Sequence, residues 1–295
     1  MSSSNLSLNL SLNLSLKLSL NIIGAGKVGR VFGRLFAQHQ VFKISQVASR
    51  SALTVEQAAA FIGAGVTVTD FAELTPADVT MLTVPDDQIA IVCKELAALS
   101  KFKSGSIVFH CSGAKASTEL IPASAVGAAV ASLHPVCSFA DPAQLAAHFA
   151  GSICSLEGDE AAVQVLTQAL LAIQAKVVQI NAANKLLYHA GSVFASNYLV
   201  TLMDVALRAY QAAGIPFDVA KAMAEALARQ SLDNVSKLGT VEALTGPIAR
   251  GDMATVAKQA EVVRNWDANA GDLYAAFTAP TLSLAARKNK NYSEK

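Results

Sequence analysis

The chain carries a glycine-rich turn, Gly24-Ala25-Gly26-Lys27-Val28-Gly29, between the apolar run Leu20-Asn21-Ile22-Ile23 and an amphipathic segment over Lys27–Gln38. The apolar run predicts a buried strand, and the 3.6-residue period of the following segment predicts a helix. In such a turn the first glycine allows a tight bend, the second lets a ligand approach the backbone, and the third lets the helix pack on the strand. Free amide groups at the start of the helix favour binding of a phosphate group. The turn therefore predicts dinucleotide binding.

The residues after the second predicted strand (41–48) indicate which dinucleotide binds. They are Ser49-Arg50-Ser51, whereas a free ribose 2′-hydroxyl calls for Asp or Glu at this point. A guanidinium can donate two parallel hydrogen bonds to a 2′-phosphate. We therefore expect NADP rather than NAD, with a solvated loop arginine as the alternative.

The alternation of strand and helix patterns continues along the chain and predicts an α/β fold with a doubly wound, Rossmann-type sheet. Further strands are predicted at 66–69, 79–84, 106–109, 128–133, 152–156 and 177–180, and further helices at 54–61, 87–100 and 160–173. After residue 180 only helical patterns follow, with breaks predicted at Gly214-Ile215-Pro216, Gly239, Gly246-Pro247 and Pro280. These patterns divide the chain into a leader (1–17), an NADP-binding domain (18–180) and an all-α domain for substrate binding and dimerisation (181–295).

The composition of the 295 residues excludes several classes of protein. Hydrophobic residues make up 53% and charged residues 15%, which excludes a disordered chain. The 23 Lys and Arg against 22 Asp and Glu give a net charge of +1, which is too small to favour binding of nucleic acid. The four cysteines form no metal-ligand pattern. With no secretory signal and no long, uncharged apolar run, we expect a soluble cytoplasmic protein without a metal or a membrane partner.

The first residues repeat Asn-Leu-Ser-Leu, so that leucine occupies every even position from Leu6 to Leu20. We expect this low-complexity leader to precede the fold. A targeting arm or a self-pairing edge is the alternative.

The ends of three predicted strands supply candidate residues at one edge of the sheet. Val84-Pro85 is expected at the cofactor, followed by Asp86 as a helix cap or, alternatively, a catalytic group. Cys111 and Ser112 are expected beside the nicotinamide, Ser112 as a catalytic candidate and Cys111 as an inert thiol rather than a nucleophile. His134 either faces substrate or forms part of a turn before Pro135.

These residues resemble those of a family of uncharacterised Rossmann-like NADP oxidoreductases, whose helical C-terminal domain is similar to that of 6-phosphogluconate dehydrogenase. Pyrroline-5-carboxylate reductase and the deazaflavin-dependent NADP reductase are wider relatives. Besides the glycine turn, the resemblance rests on Val84-Pro85-Asp86, His110-Cys111-Ser112-Gly113-Ala114, Ser132-Leu133-His134-Pro135, Tyr188-His189, residues 194–198 and residues 244–252. It implies an NADP-linked reductase or dehydrogenase that is usually dimeric through the helical domain.

One predicted helix, over 182–213, carries a polar stripe on an otherwise apolar surface. Lys185, His189, Ser192 and Ser196 share one face of it. We expect a cleft between Gly113 and the start of this helix, with Ser192 at the substrate.

The resemblance also bears on the catalytic candidates of this helix. Related β-hydroxyacid dehydrogenases carry a Lys and, four residues on, an Asn. Here Lys185 matches, His189 takes the second position and Asn197 lies two turns further, so we name Lys185, His189 and Asn197 as catalytic candidates and doubt a β-hydroxyacid substrate. In the structural alternative Lys185 caps the sheet edge and His189 bonds between domains.

These expectations combine into one function. We expect an NADP-dependent oxidoreductase that transfers a hydride between nicotinamide and a small carbonyl, imine or hydroxy substrate. Arg250 is expected to bind a substrate carboxylate, or else to pair with Asp252 or cap a helix. Small apolar residues near Met223 and Ala275 predict a homodimer through the helical domain. A non-catalytic NADP-binding or redox-sensing protein is the alternative.

Overall fold

The structure is a computed structural model that describes residues 18–293, with side chains as far as residue 288. The predicted leader, residues 1–17, lies outside the described residues. Two compact units divide the chain, the first ending at Ser196 and the second beginning at Asn197.

The first unit is built on an eight-stranded sheet. Its strands are β1 (Ser19–Ile23), β2 (Lys43–Ala48), β3 (Val66–Val68), β4 (Val79–Leu82), β5 (Ile107–His110), β6 (Ala129–Pro135), β7 (Ile153–Gly158) and β8 (Lys176–Gln179). They lie in the order β3-β2-β1-β4-β5-β6-β7-β8. Neighbouring strands are parallel except β6 and β7, which are antiparallel. The predicted strands and the doubly wound fold class are confirmed.

Helices cover both faces of this sheet. They are α1 (Lys27–Gln38), α2 (Ala52–Ile62), α3 (Ile89–Ala98), α4 (Ile121–Ser124), α5 (Pro142–Ala147), α6 (Glu160–Ala172) and, after β8, α7 (Lys185–Ala195). Successive strand residues point to opposite faces, so Ile22 and Phe109 join one hydrophobic cluster while Ile23 and Val108 join another. The central strands β1, β4 and β5 are buried on both faces for this reason, whereas the edge strands β3 and β8 are largely exposed.

Strands β1, β4, β5 and β6 run parallel, so their carboxyl ends share one edge of the sheet. The glycine turn follows β1, Thr83 follows β4, Gly113 follows β5, and His134 lies at the end of β6. This edge is where ligands bind in open α/β sheets.

The second unit is helical. It contains α8 (Asn197–Ala212), α9 (Phe217–Ala243), α10 (Met253–Trp266) and α11 (Ala268–Ser293). The predicted breaks at Gly214, Gly239 and Gly246 are present, and Gly239 has φ 78° inside α9. The break predicted at Pro280 is wrong. Helix α11 continues through Pro280. A proline removes only one helical hydrogen bond, and the packing of α11 against α10 offsets that loss.

The single helix predicted over 182–213 is also wrong. The segment consists of a 3₁₀ turn (Ala182–Asn184), α7 and α8, because Ser196 leaves the helical region at φ −124° and ψ −71°. The contacts also group α7 with the sheet, although the sequence-based domain boundary lies after residue 180.

Among the described residues, the segment Ala182–Ala212 is long and apolar enough, by length and composition only, to cross a membrane. Lys185 in its first turns is buried within the first unit and ion-paired with Glu157 of β7. That end of the segment is therefore packed on the sheet.

Candidate active site

The glycine turn after β1 is held tightly against the end of β4. Gly24 has φ 110°, and a β-carbon there would lie 2.7 Å from the backbone carbonyl of Thr83. The Thr83 hydroxyl donates to the Gly24 carbonyl at 2.8 Å. A β-carbon at Gly26 would meet only open space, and Gly26 caps α1 without a side chain. The turn is thus fixed on its inner side and open on its outer side, which leaves the first amides of α1 free for an anion.

A cavity of about 590 Å³ opens in front of this turn. It brings together three predicted cofactor segments, Gly24-Ala25-Gly26, Ser49-Arg50-Ser51 and Val84-Pro85, together with Thr54, Phe71 and Gln88. Its position at the carboxyl ends of β1, β2 and β4 is the usual place for a dinucleotide. The residues present therefore fit the group that the sequence predicts.

The rim of the cavity beyond β2 is polar. Arg50 is exposed there, and the Ser51 side chain caps α2 by accepting from the Thr54 amide. Arg30 bonds to two segments that line the cavity, since its Nε donates to the Ala25 carbonyl at 2.9 Å and its Nη2 donates to the Thr54 carbonyl at 3.5 Å. Arg50 is therefore available to a phosphate, whereas Arg30 is engaged in the framework.

Other predicted cofactor residues have different surroundings. The Lys27 ammonium donates to the Ala140 carbonyl at 3.1 Å, and Val28 packs on the first hydrophobic cluster. Gly29 lies against the Gly24 carbonyl, where a β-carbon would collide with it. Cys111 also packs on the first cluster, and burial raises the pKa of its thiol above the usual range, which supports an inert thiol.

Asp86 does not cap the following helix, so the capping interpretation is wrong. The Ser112 hydroxyl donates to the Asp86 carboxylate at 2.7 Å and accepts from the amides of Ala114 and Lys115. The hydroxyl is thus engaged on both sides, and Ser112 fixes the turn after β5. His110, fully buried beneath it, accepts from the Ser112 amide at 3.2 Å.

Lys185, at the start of α7, is buried against the sheet, with 1% of its surface exposed. Its ammonium donates to the Ser132 hydroxyl and lies 3.3 Å from the Glu157 carboxylate. Glu157 also accepts from the amide and the hydroxyl of Ser117, at 2.8 and 2.7 Å. Burial lowers the pKa of Lys185, and the Glu157 charge opposes that shift. This arrangement favours the structural alternative, in which Lys185 fastens α7 to the sheet edge.

One turn later, α7 places two rings against the end of β6. The Tyr188 hydroxyl lies 2.9 Å from Nδ1 of His134, and the His134 and His189 ring centroids are 5.4 Å apart. Both imidazoles contact Gly113, which has no side chain to separate them. The structure therefore gathers three polar rings at the sheet edge where the nicotinamide is expected.

The remaining candidates are more exposed or lie elsewhere. Ser192 is half-buried on α7, whereas Asn197 is exposed and begins α8 in the second unit. The described residues give the exposed Arg250 side chain no hydrogen bond or ion pair, and Asp252 instead caps α10 through the Thr255 amide. Over residues 18–293, no group of three or more His, Cys, Asp or Glu side chains is arranged to hold a metal.

Sequence reasoning missed the partners of the polar stripe. Glu157 lies in a strand with apolar neighbours and Lys185 in an apolar helix, and a charge in apolar surroundings requires a partner of opposite charge. The sequence therefore contained enough information to pair Lys185 with Glu157. The contact of Tyr188 with His134 had no such signal, since it depends on how α7 returns to the sheet.

Two family domains account for most of the chain. Residues 9–135 match the Rossmann-like domain, and residues 152–281 match a domain of unknown function, DUF2520. The two-domain resemblance inferred from the sequence is confirmed. No curated protein matches the chain significantly.

Solved structures share this architecture. A protein from Thermotoga maritima has 25% identity and a TM-score of 0.70, over 92% of this chain and 99% of that chain. A Bacteroides fragilis protein, named as an NADP oxidoreductase, has 19% identity and a TM-score of 0.74, over 91% and 99%. A pyrroline-5-carboxylate reductase from Streptococcus pyogenes has 14% identity and a TM-score of 0.61, over 91% and 100%. Two more distant structures with this fold are named as a pyrroline carboxylate reductase with NADP bound and as an NADH-preferring ketol-acid reductoisomerase.

The ion pair beneath α7 predicts a large effect on stability. Lys185→Met or Glu157→Gln, each alone, should lower the free energy of unfolding by about 3–5 kcal/mol, because each leaves a buried polar group without its partner. The double variant should lose less than the sum of the two. Urea denaturation of the whole chain measures these changes.

Lys103→Met is the matched control, because it breaks a half-exposed ion pair with Asp78 and should cost at most about 1 kcal/mol. Single variants at 185 and 157 that unfold at the wild-type urea concentration would contradict the role given to this pair.

Proposed function

We propose that this chain is an NADP-dependent oxidoreductase that transfers a hydride between nicotinamide and a small carbonyl, imine or hydroxy substrate. The observation that carries the proposal is the cavity formed by the glycine turn, Ser49-Arg50-Ser51 and Val84-Pro85. A turn held against Thr83 on one side and open at Gly26 on the other suits a bound pyrophosphate.

The choice of NADP rests on Arg50. The described part of the chain gives its guanidinium no hydrogen bond or ion pair, and it lines the cavity where β2 ends. Ser49 and Ser51 flank it with hydroxyls, and no carboxylate lines this cavity to bind a free 2′-hydroxyl. A 2′-phosphate would gain charge-assisted hydrogen bonds here, whereas NAD would leave the arginine without a partner.

The substrate end of the site lies beyond Gly113. When bound, the nicotinamide supplies the hydride. His189 supplies or accepts the proton, since it is half-buried beside Gly113 and imidazole is the side chain that most often serves as a general acid or base. Lys185 holds α7 in place rather than reacting, because its ammonium is buried on Ser132 and Glu157.

Replacement of Arg50 tests the cofactor assignment. Arg50→Ala should weaken NADPH binding by about 10- to 100-fold and leave NADH almost unchanged, since it removes a charged hydrogen bond of about 1.5–3 kcal/mol. Titration of nucleotide fluorescence measures both affinities. Arg229→Ala, which removes an exposed arginine of α9 outside the cavity, should change neither. Equal losses for both nucleotides would contradict the choice of NADP.

A non-catalytic NADP-binding protein is the second candidate, favoured by the engagement of Lys185 and Ser112 in structural hydrogen bonds. NADPH consumption with a panel of small carbonyl and imine compounds distinguishes the two. An enzyme should oxidise NADPH with at least one compound, and His189→Ala should then lower turnover by about 100-fold or more while NADPH affinity stays within about twofold. Binding without turnover on any compound would favour the second candidate.

We also propose that the protein is a cytoplasmic homodimer that associates through the helical unit. Large apolar side chains are exposed on α9, among them Met223 and Leu227, and exposed apolar surface of this extent is typical of interfaces. The four cysteines are free, which suits a reducing compartment.

The dimer is tested by a charge on that surface. Leu227→Glu should convert the protein to a monomer, because a carboxylate would be buried against apolar surface. Light scattering after size-exclusion chromatography measures the mass. Gln230→Glu, which adds the same charge at an exposed polar position of α9, is the control and should stay dimeric. A Leu227→Glu dimer would place the interface elsewhere.

A further inference from the structure

Asp86 carries a negative charge at the edge of the sheet where the cofactor is expected. It lies in the turn after β4 and is exposed. Over residues 18–293, no Lys, Arg or His side chain forms an ion pair with it. A carboxylate without a paired cation acts on any charge that approaches it. Asp86 therefore gives this edge a negative field that a bound molecule can use.

A hydrogen bond from Ser112 fixes the position of this carboxylate. The Ser112 hydroxyl accepts from the amides of Ala114 and Lys115, at 3.2 and 3.0 Å. Its lone pairs are thereby occupied, so its own proton is directed to Oδ2 of Asp86, at 2.7 Å. The bond orients the Asp86 side chain without removing its charge.

The bond between Asp86 and Ser112 lies between the cofactor cavity and the three polar rings. Pro85 lines the cavity and directly precedes Asp86, while Gly113, which two imidazoles contact, directly follows Ser112. The strands that carry the two turns, β4 and β5, are neighbours in the sheet. A dinucleotide held at the glycine turn, with its nicotinamide beside Gly113, extends across the ends of these strands and past this bond.

The charge of Asp86 acts on the groups around this position. Burial, followed by neighbouring positive charges, lowers the pKa of His134 to about 4, and the Asp86 charge opposes that shift. Burial also lowers the pKa of His110 and of Lys185, and the Asp86 charge is again among the effects that oppose the shift. These three residues belong to β5, β6 and α7. The negative field therefore extends over the area where the nicotinamide is expected.

We propose that Asp86 is the counter-ion of the oxidised nicotinamide ring and shifts the binding preference of the site towards NADP⁺. The ring of NADP⁺ carries a positive charge, the ring of NADPH is neutral, and the two nucleotides are otherwise alike. A fixed carboxylate beside the ring attracts only the charged form. The inference rests on the proposed function, because it names how the same site distinguishes the two redox states of its cofactor.

This preference favours one direction of hydride transfer. A site that stabilises NADP⁺ more than NADPH favours loss of the hydride from bound NADPH by the same ratio, since an equilibrium shifts by the difference in affinity for its two states. The charge of Asp86 therefore makes bound NADPH a stronger hydride donor. Ser112 contributes by holding the carboxylate in place.

Replacement of Asp86 by its amide tests the inference, because Asp86→Asn removes the charge and keeps an oxygen that can accept from Ser112. Isothermal titration calorimetry of the whole chain, at one pH and one ionic strength, measures the affinities for NADP⁺, NADPH and 2′-phospho-ADP-ribose. The last lacks nicotinamide, and all three carry the same phosphates. The variant should bind NADP⁺ about 3- to 10-fold more weakly, whereas the other two affinities should stay within about twofold.

Asp87→Asn is the matched control. Asp87 is the next residue, is also exposed, and accepts from the Gln88 side chain at 3.0 Å instead of from Ser112. Its replacement removes the same charge and should leave the ratio of NADP⁺ to NADPH affinity unchanged. The ratio decides the test even for a variant that partly unfolds, because a loss of folded protein affects both nucleotides alike.

Equal losses for NADP⁺ and NADPH in Asp86→Asn would indicate a hydrogen bond to a group that both carry, and would overturn the inference. An unchanged ratio, or the same change of ratio in Asp87→Asn, would also overturn it. Wild-type protein that still binds 2′-phospho-ADP-ribose and NADPH keeps the proposed cofactor site in each of these cases. Wild-type protein that binds none of the three nucleotides overturns the proposed function itself.

Discussion

The buried ion pair of Lys185 and Glu157 is the contact on which the geometry of the candidate site depends. Two charges removed from water are stable only when each is neutralised and hydrogen-bonded, and Ser132 and Ser117 complete that requirement. The pair fixes the start of α7 to β6 and β7 at one depth and one rotation. The rings of Tyr188 and His189, one turn later, are therefore held against His134 at the end of β6. A structural ion pair thus determines the position of the polar side chains of the candidate site.

The same fixation reverses the usual arrangement of an amphipathic helix. The polar stripe of α7 faces the sheet edge, while Leu186 and Leu187 are 73% and 78% exposed. Burial of Lys185 is tolerable here because its ammonium is paired with Glu157 and Ser132, and the cost of exposing leucine is small beside that of an unpaired charge.

The glycine turn after β1 follows a different constraint, the close approach of one backbone segment to another. Gly24 fits only because nothing extends from it towards Thr83, and Gly26 is open because nothing extends from it towards the cavity. Gly113 acts in the same way at the end of β5, since its missing side chain admits the imidazoles of His134 and His189. The three glycines at this sheet edge thus let the glycine turn lie against β4, leave the cavity open and bring two rings together.

The sequence by itself determined the eight strands, the helix after the glycine turn and the segments that line the cavity in front of it, because these depend on local periods and on contiguous segments such as Ser49-Arg50-Ser51. Only the tertiary structure decided the roles of the polar residues. Lys185 and His189 share a helical face and read alike in sequence, yet one is buried on Glu157 and the other lies beside His134. The difference arises from strands far away in the chain, whose pairing with α7 no local pattern encodes.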